Sequence, residues 1–452
     1  MGRAKSTRER VRSAGHTNIE LFTRKIPTPD RWAGNPASVV GQRFTVVMLL
    51  TMLTYTDALA LLTALDVKPV HEQVPLANAF GRVLAQDIYL SGDQPPFDRA
   101  TMDGYALCLK PGTTAYIVRG VVYAGSTFPD TLQPGEAVRI MTGAPVPHGT
   151  TVVPHELSDR GEHIVIITDP KARVPDRNIA WRGEDGRAGA VLVKSGTRLS
   201  PLVLSAAAMA GAGAIAVARA PRLALMTTGD EVGGGGPAGI IDSNGPFLSG
   251  FAASLGLTAM RSHASDHADA VRSTLETAMK QAEVIVTTGG VSAGAKDLVP
   301  AIAAELGFTT VFHHLAIQPG KPVLVMKRDS HFLVGLPGNP VSVVATAHLI
   351  LLPLLSRLLG ALAPTWLELP LTAPTGNRGQ RQLFLPSRLT SGGVTPIAWN
   401  GSGDLIAAAS GDGLIDLPIG CDFNPGAIVR FLPYVGWQPG ATGQLPERVA
   451  RR

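Results

Sequence analysis

The chain has 452 residues, a formal net charge of +5, 45% hydrophobic residues and only two cysteines, Cys108 and Cys421. This length suggests about three domains. Two cysteines exclude a disulfide framework or a cysteine-rich metal site and favour a reducing compartment, the cytoplasm.

The charge is uneven. Residues 1–47 hold nine Lys/Arg against three acids, so residues 48–452 carry a net −1. The body is therefore no basic nucleic-acid binder. Residues 1–47 read as a disordered basic extension, or as sequence ahead of the natural start, with Met48 and Met52 as candidate starts. The following run "VVMLLTML" is far shorter than the ~20 residues of a membrane span, and the basic stretch before it is too long for a signal peptide. No membrane partner is expected.

"TYTDALALLTAL" predicts a helix, with Thr56 as cap, Asp57 in the first turn and Ala58, Leu61, Leu62 and Leu65 on one face. Residues 48–73 and 190–220 are assigned to a helical connecting domain. "LSPLVLSAAAMAGAG" supplies its second helix, capped by Ser200 with Pro201 at the first position. Between them, residues 74–189 alternate short β-prone runs with Gly/Pro turns, as in a β-rich domain.

From residue 221 to 364 continuously apolar strands alternate with helices. "RLALMTTGDEV", "EVIVTTGGVSAG" and "FLVGLPGNPVS" are read as strands with their loops, and "DHADAVRSTLETAMKQA" as a helix capped by Asp266. This predicts a three-layer α/β domain around a parallel sheet. Residues 365–452 return to short β-prone segments and form a small C-terminal β-domain. The fold class is α/β multidomain.

Three strands end in glycine-bearing loops: Thr228 to Glu231, Gly289 to Asp297, and Gly335 to Pro340. In open α/β sheets ligands sit outside the carboxyl ends of the strands, and bare backbone N–H groups bind phosphate. Each loop alone reads equally as a turn, but three on successive strands point to one crevice. Gly289, Gly290, Ser292 and Gly294 would let backbone approach a phosphate, and Lys321 adds a point charge. Asp230, Glu231, Asp242 and Asp297 lack His/Cys neighbours, and carboxylates alone suit Mg²⁺. Asp242 reads equally well as a cap or turn residue. From these residues alone, the reading is an enzyme with an α/β phosphate-binding domain.

The ordered set goes further. "PPFDRATMDGYAL", "IMTGAPVPHGTTVV", "RGEDG", "TTGDEV" with "IDSNGPFL", "TTGGVSAGAKD", "IQPGKP" and "VGLPGNPVS" resemble, in this order, the MoeA family of molybdopterin molybdenumtransferases, which includes the E domain of gephyrin. The resemblance spans about residues 53 to 440. It implies insertion of molybdenum from molybdate into adenylylated molybdopterin with release of AMP, aided by Mg²⁺. It implies a homodimer whose active site is shared between subunits, and is compatible with contact to a MogA-type adenylyltransferase. It places catalytic residues at Asp103, Thr142, Asp185, Glu231 and Asp297; with Asp242 from the reading of the loop carboxylates, the candidate metal ligands are Glu231, Asp242 and Asp297. Substrate binding falls to Gly289, Gly290, Ser292, Gly294, Asp266, Lys321, Pro337, Pro340 and Ser402.

The chain departs from the family pattern at several charges. His314 and Gln318 stand where relatives often carry lysine, Ala180 and Pro386 where they often carry arginine, and His267 where an acid often follows Asp266. Lys321, Arg182 and Arg381 are the cations left to compensate. Two other readings stay open: a non-catalytic cofactor-binding scaffold, and a MogA-type adenylyltransferase. The flanking β-rich segments argue against the second.

Overall fold

The computed structural model describes residues 52–233, 239–291 and 297–436. The basic extension, Met48, Ser292 and Gly294 lie outside them.

The first helix, Tyr55–Ala64, begins two residues earlier than its sequence suggested. Thr54, not Thr56, is the cap, because the Thr54 side chain accepts the Asp57 N–H while Asp57 reaches back to the Thr54 N–H. This reciprocal pair satisfies two donors that would otherwise be orphaned at the helix end. Of the expected apolar face, Ala58 and Leu62 are buried and Leu61 is exposed. The helix Pro201–Met209 starts as read, with the Ser200 hydroxyl accepting from the Val203 N–H and Pro201 in the first turn.

One small core joins residues near 79–90 to residues near 193–217, including Leu84, Ile88, Leu199 and Val217. Strands His71–Pro75 and Ala214–Ala218 pair antiparallel beside it. Between these segments lies a five-stranded sheet, in the order Thr151–Pro154, Gly104–Leu107, Glu136–Ile140, Ala115–Val122, Ile164–Ile166.

The α/β part carries a six-stranded sheet in the order Ala259–Ala264, Leu223–Thr228, Val284–Thr288, His331–Leu336, Leu324–Arg328, Thr309–His313. The expected parallel arrangement holds for the first four strands, and Leu324–Arg328 pairs antiparallel with both of its neighbours. Helices cover both faces, and the buried residues fall into two clusters. The helix "DHADAVRSTLETAMKQA" runs Ala268–Gln281. His267 and not Asp266 is its cap residue, and no side chain caps it.

The apolar helix Pro340–Leu358 is long enough to cross a membrane, but it is largely buried and serves as the core helix. It contains a π-helical turn, Ala347–Leu351, just before Pro353. Proline lacks an N–H and crowds the carbonyl four residues back, so a widened turn there relieves both defects.

The core helix also ties the C-terminal β-domain down. That domain is a sheet in the order Ile317–Gln318, Gln382–Thr390, Gly413–Leu417, Ile428–Pro433, Leu367–Pro370. Its first strand is lent by the α/β part. Phe384, Leu414 and Leu432 share one core with Tyr55, Phe251 and Leu351. Tyr55 meets the Phe384 ring edge-on at 5.1 Å.

His348, in the π turn, is fully buried between these parts. Its Nδ1–H donates to the Val344 carbonyl at 2.7 Å, and its Nε2 accepts the Val435 N–H at 2.9 Å. Burial pushes its pKa down to about 4. The neutral ring is thus built into the fold, because a protonated Nε2 would face a second donor. The folded value lies below the unfolded one near 6.5, so the unfolded chain takes up the proton first. The contribution is complete above about pH 6.5 and is lost as pH falls towards 4. The loss should reach about 3 kcal/mol for this one group. Denaturant midpoints at pH 7, 5.5 and 4.5 should therefore fall more steeply for the wild type than for His348→Gln. Parallel slopes would contradict this role.

Candidate functional site

Register puts three loops at one edge of the large sheet. Thr227 pairs with Thr288, and Thr288 in turn with Leu336, all in parallel strands. The Thr228 hydroxyl donates to the Thr288 carbonyl at 3.2 Å, and the Gly289 N–H to the Leu336 carbonyl at 3.2 Å. Gly289 and Gly290 have φ of +82° and +64°, and a Cβ on either would lie 3.0 Å from the Thr228 hydroxyl. Here glycine is required both by backbone conformation and by close approach. The buried hydroxyls of Thr287 and Thr288, at the end of the same strand, have no hydrogen-bond partner among the described residues.

The third loop is pinned from two sides. Asn244, at the start of a helix, donates from its side chain to the Gly338 carbonyl at 2.8 Å. Asn339 donates to the Ser402 hydroxyl at 2.9 Å, and the Val341 N–H to the Ser402 carbonyl at 2.9 Å. Ser402 thus docks the C-terminal β-domain on the entry to the core helix, where Pro340 occupies the first turn.

The junction encloses a cleft of about 410 Å³. Gln318, Lys321, Pro337 and Asn339 line it from the α/β part, with Arg381, Trp399 and Ser402 from the C-terminal domain. No carboxylate lines it among the described residues. Lys321 is exposed. Arg381 is fixed by its Nη1 donating to the Ile317 carbonyl at 3.2 Å, and buried Asn377 holds the Arg381 carbonyl at 2.8 Å. Of the three cations named as compensation, two therefore sit in the cleft. Arg182 does not line it: its Nε bonds Asp93 at 2.8 Å. Gln318 lines the cleft uncharged. His314 stacks on His313 at 3.9 Å, and burial, then the neighbouring His313 and Lys321, hold its pKa below the usual value.

The acidic candidates divide. The Glu231 carboxylate folds back over Gly229, whose Cβ would meet both oxygens at 2.7 Å. Asp297 is half-buried after the second loop. Asp230 accepts the Asp266 N–H at 3.1 Å, which joins two neighbouring loops. Asp242 takes its turn role: one oxygen accepts the Gly245 N–H at 2.8 Å and the other meets Arg261 at 2.6 Å. With both oxygens committed, it fits poorly as a metal ligand. Among the described residues no group of three or more His/Cys/Asp/Glu stands close enough to hold an ion. Glu231 and Asp297 remain as the acidic candidates at the strand-end loops.

Asp103, Thr142 and Asp185 lie on and around the five-stranded sheet, and none of them lines the cleft. Asp103 Oδ1 accepts both the N–H and the hydroxyl of Thr142 at 2.7 Å, and these bonds hold its carboxyl below the usual range. Asp185 stands 3.8 Å from Arg99. Both acids are exposed. The sequence reading passed over Asn339 and Trp399. Asn339 sits inside "GLPGNP", but nothing in the motif says that its side chain crosses to Ser402. A lone tryptophan gives no periodic signal at all.

The model of the MoeA N-terminal region (domains I and II) matches residues 53–211. That of a probable molybdopterin binding domain matches residues 224–357, and that of the MoeA C-terminal region (domain IV) residues 368–434. A molybdopterin molybdenumtransferase of Synechococcus elongatus is 34% identical over 364 residues, covering 76% of this chain and 89% of that protein. One from Staphylococcus epidermidis is 29% identical over 399 residues, covering 84% and 95%. The crystal structure of a molybdopterin biosynthesis MoeA protein from Pyrococcus horikosii superposes with a TM-score of 0.70 at 30% identity, over 86% of this chain and all of that one. Three region models in the order of the sequence, and a relative at 34% identity matched over nearly its whole length, show that the chain belongs to the MoeA family of molybdopterin molybdenumtransferases.

Proposed function

We propose that this chain inserts molybdenum into adenylylated molybdopterin, yielding the molybdenum cofactor and AMP. The observation that carries the reading is the convergence of three glycine-bearing loops on the ends of adjacent parallel strands, beside a cleft bearing Lys321 and Arg381. Its charge and size suit an anionic ligand, since pockets of ~300–1,000 Å³ hold small molecules. Molybdate is substrate here. The dithiolene of molybdopterin supplies the sulfur that molybdenum prefers, so a protein with two cysteines suffices.

Bare backbone at Gly289 and Gly290 would admit the phosphates, and Lys321 and Arg381 would hold their charge. Glu231 and Asp297 would hold Mg²⁺, which supplies charge neutralisation at the phosphoanhydride whose cleavage releases AMP. Asp103, Thr142 and Asp185 would complete the site from a second subunit, with the β-rich part of one chain facing the α/β part of its partner. The bonds from Thr142 keep Asp103 ionised for that role. Contact with a MogA-type adenylyltransferase, the enzyme class that makes the adenylylated substrate, fits the same reading. The cytoplasm fits as the place of synthesis.

Asp297→Asn should keep the fold and lower AMP release about a hundredfold, because a bound cation contributes several kcal/mol to such a step. Turnover at the wild-type rate under limiting Mg²⁺ would sink the assignment. The shared site predicts complementation. Mixing inactive Asp103→Asn and Asp297→Asn under subunit exchange makes about half the dimers mixed, each with one intact site, so roughly a quarter of the activity should return. No recovery, with exchange confirmed by mass spectrometry, would place both residues in one chain's site.

A further inference from the structure

We propose that Trp399 is a stacking platform for the planar heterocycle of a phosphate-bearing ligand in the cleft. The proposal rests on the proposed function only for which heterocycles to consider. Trp399 is the one aromatic ring among the described residues that line the cleft. It packs against the C-terminal core that holds Leu385, Ile415 and Phe431, and is only partly buried there. Trp399 thus stands between that core and the cleft.

The turn that carries it is fixed before any ligand arrives. The Ile397 N–H donates to the Pro386 carbonyl at 2.9 Å, and the Asn400 N–H to the Asp404 carboxylate at 2.9 Å. Asp404 also caps the next helix through the Ala407 N–H at 3.2 Å. Two residues after Asn400, the Ser402 carbonyl is bound by Val341 across the domain junction. With the backbone of the turn held this way, less freedom is lost on binding, which is the condition under which stacking adds affinity.

The charges around it select the ligand class. Lys321 and Arg381 border the same cleft and no described carboxylate does. An inorganic oxyanion would use the cations and ignore the ring, and an uncharged aromatic would use the ring and ignore the cations. A flat heterocycle with a phosphate uses both, and adenine and pterin each carry one in this reaction. Base–aromatic stacking tolerates either ring, because it depends on the π-face and not on an edge pattern. A purely packing role for Trp399 makes a different prediction: its loss would lower stability and weaken every ligand alike.

The test is calorimetric titration of the full chain with AMP, a pterin monophosphate and ribose 5-phosphate. Wild type, Trp399→Phe and Trp399→Ala are compared, with thermal melting as a check on folding. In Trp399→Ala at least one ringed phosphate should bind about tenfold or more weakly, while Trp399→Phe stays within about threefold of wild type. Ribose 5-phosphate should bind all three proteins alike. A loss confined to AMP assigns the ring to adenine, and a loss confined to the pterin assigns it to the pterin. The proposal is overturned if Trp399→Ala binds both ringed ligands as tightly as wild type. It is equally overturned if all three ligands weaken in the same ratio, or if wild type binds neither ringed phosphate. Ring-selective binding without AMP release from the adenylylated substrate would remove the proposed reaction and leave the platform standing.

Discussion

The site depends on one constraint, the parallel pairing of Leu223–Thr228, Val284–Thr288 and His331–Leu336. Parallel strands end at the same edge of a sheet, so their following loops must meet there. Each strand is buried throughout its central part, and a one-residue slip would move every loop relative to its neighbours. The hydrogen bonds from Thr228 to Thr288 and from Gly289 to Leu336 then close the loops on each other. Glycine at 289 and 290 follows from this crowding as much as from any ligand.

The second determinant is the way the C-terminal β-domain is held. Its core is partly its own and partly that of the α/β part, through Phe384, Leu414 and Leu432. Strand Ile317–Gln318 crosses the junction, and Ser402 and His348 bridge it by hydrogen bonds. A cleft between parts joined this tightly has a defined shape, so Lys321 from one part and Arg381 from the other face the same space. Gln318 borders the same space uncharged, so the positive charge of the cleft comes from Lys321 and Arg381. Charge-assisted hydrogen bonds contribute ~1.5–3 kcal/mol against ~1 for neutral ones, so these two cations outweigh Gln318 in drawing an anion.

Much of this was legible in the sequence, and the failures have identifiable causes. The three central strands announce themselves as unbroken apolar runs, because both of their faces are covered. Ala259–Ala264 does not, because it is an edge strand whose Arg261, Ser262 and His263 are exposed. Apolarity also cannot give direction, so the antiparallel pair Leu324–Arg328 and Thr309–His313 went unseen within the predicted parallel sheet. At the first helix two threonines competed, and the three-residue spacing to Asp57 was the signal that favours Thr54. Asp242 shows the limit for acids: a carboxylate near a glycine loop reads the same whether it waits for a metal or, as here, bonds Gly245 and Arg261. Asp103 and Asp185 are candidates only through the ordered motifs, since local sequence makes each an ordinary turn residue.

The central claim is that the strand-end loops and the cleft beside them serve molybdenum insertion. The most direct measurement follows AMP released by the purified full chain from adenylylated molybdopterin, with and without molybdate, beside a parallel reaction given molybdopterin and ATP. The account predicts AMP release coupled to molybdate-dependent cofactor formation, and no adenylylated product from ATP. Tight binding of the adenylylated substrate without AMP release, or adenylylation from ATP, would contradict it.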